Sequence, residues 1–208
     1  PTLANLIYAK ENCNIPVVTM VRPRGSGFCY SDEEYDTMLM DAKILLEHGA
    51  DGIAFGFLTE EKMPDEKRTR EMIELIHEYG KEAVFHRAFD CTDNQDSAAE
   101  KLIMLGTDRI LTSGGAANVW DGRKQLKHLQ NQYGKDIAIL AGSGVNDTNV
   151  RALIEYTGIT QVHSSCGAWK CDVTASGKEV DFSYDEAMKN CYQCADAKSD
   201  VPCRSLGR

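Results

Sequence analysis

The segment from His86 to Asp90 places three chemically different side chains directly after a short apolar run. His86 is a titratable base, Arg87 a permanent cation and Asp90 a carboxylate, which are the groups that acid–base chemistry uses. We take His86 as a candidate base, Asp90 as the carboxylate that orients it, and Arg87 as a candidate anion ligand. The alternative is a hydrogen-bonded structural histidine. Side chains alternate along a strand, so only one of His86 and Arg87 faces inward while the strand stays regular.

Two further arginines, Arg22 and Arg24, stand beside the flexible residues Gly25 and Gly27 at the end of another apolar run. A guanidinium group grips a carboxylate or a phosphate with two parallel hydrogen bonds, so both are candidate anion ligands. The alternative for Arg22 is an internal salt bridge to a strand-end carboxylate such as Asp90.

A glycine-rich turn, Gly142-Ser143-Gly144, and the later Ser164 supply a second set of candidate anion ligands. Exposed backbone amides after the last strands of a barrel, next to helix N-termini, are a common place for a bound phosphate. The glycines would let the backbone approach the ligand, and Ser164 would donate a hydrogen bond. The alternative is a tight turn that needs glycine for its own conformation.

Four cysteines fall in predicted loops after strands, which would place them on one face of a barrel: Cys29, Cys91, Cys166 and Cys171. Clustered thiolates suit a soft ion such as Cu(I) or Zn²⁺. The alternative is that each is an unliganded reduced thiol. The pair Cys191 and Cys194 has ligand-like spacing, but it stands alone on a predicted helix, and the sequence assigns no role to Cys191, Cys194 or Cys203.

The elements that must position these residues follow a repeat of about 25–30 residues, the size of one strand and one helix. Glycines punctuate it, each following a helical pattern and preceding an apolar run: Gly49, Gly80, Gly106, Gly134 and Gly158. Ser31 and Glu34 form a capping box that begins one of the helices. Residues Leu3 to Asn12 are predicted to form a helix with no strand before it.

Six short strands, apolar on both faces, predict a parallel sheet covered by helices: Val17–Arg22, Gly52–Phe57, Ala83–Arg87, Arg109–Thr112, Ile137–Gly142 and Gln161–Ser165. No glycine-rich nucleotide-binding loop follows a strand, and polar residues follow most strands, which favours a (β/α)₈ TIM-type barrel over an open sheet. Such a barrel takes about 250 residues. We therefore expect one domain over residues 1–208 with about six of the eight strands, lacking an N-terminal β-α-β segment, and with residues 172–208 as a divergent extension.

The composition narrows the possible partners. The 208 residues include 32 acidic and 23 basic side chains, a formal charge of −9, so nucleic acid is excluded as a partner. Apolar stretches such as Val17 to Val21 are far shorter than the ~20 residues that span a bilayer, so no membrane span is expected. Eight scattered cysteines predict a cytoplasmic protein with reduced thiols, with an oxidising compartment as the alternative.

Five motifs in order resemble the CutC-type copper-homeostasis family: Val21–Gly25 with Phe28 and Tyr30, Gly49–Gly52 with Phe55-Gly56 and Leu58-Thr59, Phe85–Asp90, Arg109–Gly114, and His163–Ser165. The similarity runs from Pro1 to about Ser165. It implies a cytoplasmic (β/α)₈-type barrel that takes part in copper handling, with Cu(I) as a ligand. The cysteines proposed to hold copper in relatives lie in two earlier strands and have no counterpart here.

Two hypotheses about function stay open at this point. One is a copper-homeostasis protein that binds Cu(I), weakly or through cysteines at the barrel mouth. The other is an enzyme or sensor for a small anionic, phosphorylated metabolite held by the arginines and the glycine-rich turn. An incomplete barrel with open strand edges is also expected to recruit a partner, such as a second copy of itself, or to be unstable alone.

Overall fold

The structure is a computed structural model that describes residues 2–183 and 185–195. Six strands form one parallel sheet in chain order: β1 (Val18–Met20), β2 (Gly52–Phe55), β3 (Glu82–Phe85), β4 (Arg109–Thr112), β5 (Ala138–Gly142) and β6 (Gln161–His163). Each strand pairs in parallel with the next one in the chain. This sequential order has no reversal point and gives an open, partial barrel of six strands, as the sequence predicts.

Six helices connect and flank the strands: α1 (Leu3–Asn12), α2 (Asp32–Glu47), α3 (Glu66–Glu78), α4 (Gln95–Leu105), α5 (Arg123–Tyr133) and α6 (Val150–Thr157). The predicted capping box at the start of α2 is present, because Ser31 accepts from the Glu34 amide and the Glu34 carboxylate accepts from the Ser31 amide. Gly106 and Gly158 end α4 and α6 in the left-handed conformation. The glycine repeat thus marks real helix ends.

The main core lies between the sheet and the helices. Alternate strand residues such as Phe55, Phe85 and Ile110 are fully buried there. The residues between them face the other, concave side, where Val18 and Met20 in β1 stay 40% and 41% exposed. The apolar concave side of the sheet is thus partly uncovered at the β1 edge.

The chain after β6 departs from the predicted pattern. Strands β7 (Gly167–Cys171) and β8 (Cys191–Ala195) form a separate antiparallel ribbon within the predicted extension. The predicted placement of Cys171 in a loop of the barrel mouth is therefore wrong, as is the predicted helix around Cys191 and Cys194. The cause is cross-strand pairing between distant segments, which a local pattern does not show. Cys203 lies outside the described residues.

Among the described residues, no helix combines the length and the apolar character needed to cross a bilayer.

Candidate functional site

A cleft of about 480 Å³ opens at the carboxyl ends of the strands, where the sequence places its chemistry. Its size is typical of small-molecule sites. The lining combines an apolar floor with polar groups from the loops after β1, β3, β5 and β6: Met20, Arg22, Phe28, His86, Arg87, Asp90, Cys91, Leu111, Ser143, Gly144, His163 and Ser165.

His86 is a buried polar residue of the cleft. The residue is 3% exposed, and its Nδ1 accepts a hydrogen bond from the Ala88 amide at 3.2 Å. Burial, with a smaller contribution from the positive charge of Arg22, lowers the pKa of His86 to about 4. The ring is therefore neutral at pH 7, and because Nδ1 is an acceptor, the proton must lie on Nε2.

That Nε2 is buried and has no hydrogen-bond partner among the described residues. A buried donor without a partner is costly, so His86, a residue that lines the cleft, holds an N–H group that could still donate a hydrogen bond.

Close packing fixes the plane of the His86 ring. A Cβ added at Gly56 would lie 2.5 Å from Nδ1 and 2.9 Å from the Ala88 Cβ, so this position requires glycine. The Phe28 ring lies 5.2 Å from the imidazole, centroid to centroid, and Phe85 packs from another side at 6.3 Å. Neither Gly56 nor Phe28 is a candidate from sequence reasoning, because their contacts with His86 join different strands and loops.

Asp90 does not orient His86. Its carboxylate, 7% exposed, accepts hydrogen bonds from the Thr112 hydroxyl at 2.5 Å, the Ser113 amide at 3.0 Å and the Gly115 amide at 3.1 Å. It also receives Arg87 Nε at 2.7 Å. The expected His86–Asp90 couple is thus absent, and Asp90 instead ties the turn after β3 to the loop after β4.

Arg87 and His86 both reach the cleft because β3 ends at Phe85 and a tight 3₁₀ turn begins at Arg87. The strand is not regular at this point, so the alternation that would separate the two side chains does not apply. Arg87 also donates from Nη2 to Ser113 Oγ at 3.1 Å, and its side chain stays 41% exposed. It is held in place with part of the guanidinium open to the cleft.

Arg22 lies at the cleft as the sequence predicts. It donates to the Ser26 carbonyl at 2.8 Å and stacks on the Phe28 ring at 4.8 Å. The alternative, a salt bridge from Arg22 to Asp90, is not observed, because Asp90 pairs with Arg87.

Arg24, in contrast, does not line the cleft. Its guanidinium is bound to Glu34 at 2.5 and 3.1 Å and to the carbonyl groups of Gly27 and Cys29. The hydrogen bond from Arg24 is also the largest cause that lowers the pKa of Glu34. Arg24 therefore shapes the loop before α2 and is left out of the candidate site.

Two residues of the glycine-rich turn line the cleft and the third does not. Gly144, with φ +76°, and Ser143, with φ +93°, line the cleft in left-handed conformations. The Ser143 hydroxyl donates to the Ala117 carbonyl at 2.9 Å, which ties this turn to the loop after β4. Gly142 lies under the cleft rather than in it, since a Cβ there would meet Leu111 Cδ1 at 2.5 Å.

Ser164 is not available as a donor to a ligand. Its hydroxyl donates to the Val145 carbonyl at 2.8 Å, and the same oxygen accepts from the Cys166 amide. Its neighbours His163 and Ser165 line the cleft instead, and partial burial lowers the pKa of His163. Of the motif His163–Ser165, the cleft is thus lined by His163 and Ser165 and not by the candidate Ser164.

The predicted cluster of thiols does not form. Cys91 lines the cleft, Cys29 lines a separate groove between α2 and α3, and Cys171 belongs to the β7–β8 ribbon. Cys166 lies in the loop after β6. Within residues 2–183 and 185–195, no three His, Cys, Asp or Glu side chains come together as a set that could hold a metal ion.

A parallel sheet in sequential order, with helices outside and a polar cleft at the carboxyl ends of its strands, defines the class of barrel-like (β/α) proteins. The sequence model of the CutC family matches residues 1–168, and the chain belongs to the CutC family.

Two relatives agree with this assignment. The chain is 36% identical over 165 residues to the copper homeostasis protein cutC homolog of Mus musculus, covering 79% of this chain and 60% of the relative. It is 38% identical over 163 residues to a family protein CutC of Treponema denticola, covering 78% of this chain and 65% of the relative. The chain thus spans less than two thirds of these two relatives.

A solved CutC protein from Streptococcus agalactiae superposes with a TM-score of 0.73 at 29% identity, covering 78% of this chain and 80% of that structure. A deoxyribose phosphate aldolase from Aeropyrum pernix superposes with a TM-score of 0.60 over 78% of this chain and 69% of its own, at 14% identity. At that identity the aldolase supports the barrel-like fold and nothing more.

Proposed function

We propose that this chain acts as a cytoplasmic copper-homeostasis protein of the CutC type and that its cleft binds a small anionic molecule carrying a carboxylate or a phosphate group. The observation that carries the proposal is the buried, unpartnered Nε2–H of His86, in a cleft that Arg22 and Arg87 also line.

The charge distribution supports an anion as the ligand. The formal net charge of the whole chain is −9, so an excess of positive charge in the cleft does not follow from the overall composition. Among the lining residues, Arg22 and Arg87 are cationic and Asp90 is the carboxylate, and Asp90 is already occupied by Arg87 and the loop after β4. A bound anion would therefore pair with Arg22, whose charge Asp90 does not neutralise, and would receive charge-assisted hydrogen bonds.

The state of His86 narrows its role. Nε2 holds its proton at pH 7, so this nitrogen donates a hydrogen bond and cannot act as a base. A neutral and buried donor favours a ligand oxygen that accepts, such as a carbonyl or an oxyanion. This replaces the candidate role of His86 as a base with that of a donor to the ligand.

A binding experiment with matched variants tests the proposal. Thermal unfolding is followed with inorganic phosphate and with small carboxylates for the wild-type chain, for Arg22→Gln and for Arg151→Gln. Arg151 is the control because its side chain is 90% exposed on α6 and paired with Glu155. We expect stabilisation by at least one of these anions, lost in Arg22→Gln and kept in Arg151→Gln. No stabilisation of the wild-type chain at millimolar anion, or equal loss in both variants, would refute the proposal.

Cu(I) binding is the second candidate, favoured by the relation to proteins named for copper homeostasis. Cu(I) prefers soft thiolate ligands, and the four predicted cysteines are dispersed over the cleft, the groove, a loop and the ribbon. The residues at the mouth therefore do not fit a site with several thiolate ligands, and we prefer a small anion to Cu(I) as the ligand of the cleft. Anaerobic titration with Cu(I) against a strong chelator tests whether copper is the better candidate. Competition that is lost when Cys29, Cys91, Cys166 and Cys171 are replaced by Ser would favour copper.

The uncovered concave face supports a further part of the proposal. A closed barrel has eight strands and a filled interior, whereas six strands here leave Val18 and Met20 exposed. We propose that this face is completed in the functional protein, as the predicted N-terminal β-α-β segment would do. In the isolated chain, the same face would promote association between copies.

A further inference from the structure

The β7–β8 ribbon brings two thiols into contact. Cys171 and Cys191 are directly opposite each other in the antiparallel register, and their sulfur atoms are 2.6 Å apart. The next pair along the ribbon is hydrogen-bonded, since the Asp172 amide donates to the Asn190 carbonyl at 2.6 Å. Hydrogen-bonded and non-hydrogen-bonded pairs alternate, so Cys171 and Cys191 occupy a non-hydrogen-bonded pair. The Cα atoms of such a pair are about 4.5 Å apart, within the range of a disulfide.

We infer that Cys171 and Cys191 are a redox-active pair that forms a reversible disulfide across the ribbon. The oxidant is a low-molecular-weight disulfide such as oxidised glutathione. The thiolate of one cysteine attacks it, forms a mixed disulfide and releases one glutathione thiolate. The second protein thiolate then attacks the protein sulfur of the mixed disulfide and releases the other glutathione. The protein loses two electrons and two protons, and the oxidant becomes two thiols.

The neighbouring cysteine does not compete for this bond in the folded ribbon. Cys194 lies three residues after Cys191 in the same extended strand, so the two side chains point to opposite faces. The residue opposite Cys194 is Ala168, which offers no sulfur. The spacing Cys191-x-x-Cys194 therefore does not act as a local dithiol, and Cys171 is the partner that the fold supplies to Cys191.

The surroundings show what the bond would do. Across the described part of residues 164–195, Cys191 is the one residue that is buried. The segment between the two cysteines contains two short 3₁₀ turns with no buried residue. Small segments without a core depend on cross-links for their order. The disulfide would link the two ends of the segment between Cys171 and Cys191. Reduction of the disulfide would remove this constraint from the segment.

Peptide mapping tests the inference because trypsin cleaves between the two cysteines. Cleavage after Lys170, Lys178 and Lys189 places Cys171 in peptide 171–178 and Cys191 with Cys194 in a peptide that begins at residue 190. The native chain is incubated with oxidised glutathione, its remaining thiols are alkylated, and the digest is analysed with and without reductant. We expect these two peptides joined by a disulfide, and separation of the pair on reduction.

Two variants assign the bond. In Cys194→Ser the linked pair is expected to persist, and in Cys171→Ser it is expected to disappear. Complete alkylation of both peptides in the wild-type chain would overturn the inference. Glutathione adducts that never resolve into the linked pair, or a link that needs Cys194, would overturn it as well. These readouts do not depend on ligand binding at the cleft.

Discussion

Replacement of Asp90 by alanine should destabilise the fold strongly, because this carboxylate is the hub between the turn after β3 and the loop after β4. It accepts from Thr112 Oγ1 at 2.5 Å, from the amides of Ser113 and Gly115 at 3.0 and 3.1 Å, and from Arg87 Nε at 2.7 Å. Thr112 and Ser113 are fully buried, so their donors would lose a charged acceptor and gain no water.

The loss in free energy of unfolding depends on which hydrogen-bond donors can bind water once the carboxylate is removed. Arg87 and Gly115 are exposed to solvent, so water would replace Asp90 as their hydrogen-bond partner. The loss of these two hydrogen bonds therefore costs little. The two buried donors cost about 1–3 kcal/mol each when left without a partner. With the cavity left by the carboxylate, we expect Asp90→Ala to lower the free energy of unfolding by about 3–5 kcal/mol. For a chain of this size, that corresponds to a drop in Tm on the order of 10 °C.

Urea unfolding followed by circular dichroism measures the effect. The matched control is Asp93→Ala, which removes a carboxylate three residues away whose side chain is 68% exposed and pairs with Lys62 at 3.4 Å. The control should change the free energy of unfolding by less than about 1 kcal/mol. If Asp90→Ala also costs less than about 1 kcal/mol, the carboxylate is not the hub that the hydrogen bonds describe.

Three further predictions concern the position of the His86 ring, the loss of stability at low pH, and the uncovered concave face of the sheet. Gly56→Ala should cost about 1–3 kcal/mol in urea unfolding and abolish anion-dependent stabilisation, because its methyl group would displace the His86 ring; unchanged unfolding and binding would contradict this. Asp51, whose pKa is lowered to about 2 chiefly by the hydrogen bond from Lys10, contributes stability that is present above its unfolded pKa of about 4 and lost as the pH falls toward 2. Asp51→Asn should therefore flatten the fall of the urea midpoint between about pH 4 and pH 2, and an equally steep fall would refute that role. Met20→Lys on the uncovered face should reduce concentration-dependent association of the isolated chain in sedimentation velocity, and association that is unaffected would show that this face is not the contact.

The repeating part of the fold could be predicted from sequence because its signals are local. Helix-ending glycines, a capping box and short runs apolar on both faces identify the six parallel strands and their order along the chain. The β7–β8 ribbon could not, since Cys191–Ala195 has no strand pattern of its own and becomes a strand through its pairing with Gly167–Cys171. Its stability depends on contacts between segments about twenty residues apart, which composition does not encode.

The candidate site divides in the same way. The placement of Arg22, His86 and Arg87 at the cleft follows from their positions at strand ends, which sequence shows. Which polar groups are free does not follow, because it depends on hydrogen bonds between loops. Asp90 and Ser164 have the right residue type and position, yet their polar atoms are used inside the protein.

The most direct test of the proposed anion site is the ring ¹⁵N NMR spectrum of His86, assigned with a His86→Gln variant and recorded with and without inorganic phosphate and, separately, the small carboxylates. Without phosphate at pH 7, the spectrum should show a neutral ring with the proton on Nε2, consistent with the pKa of about 4 and the hydrogen bond to Nδ1. Saturating phosphate or carboxylate should shift the Nε2 resonance while the ring stays neutral. A ring protonated on Nδ1, or an Nε2 resonance that neither inorganic phosphate nor the small carboxylates move at any concentration, would contradict the proposed site.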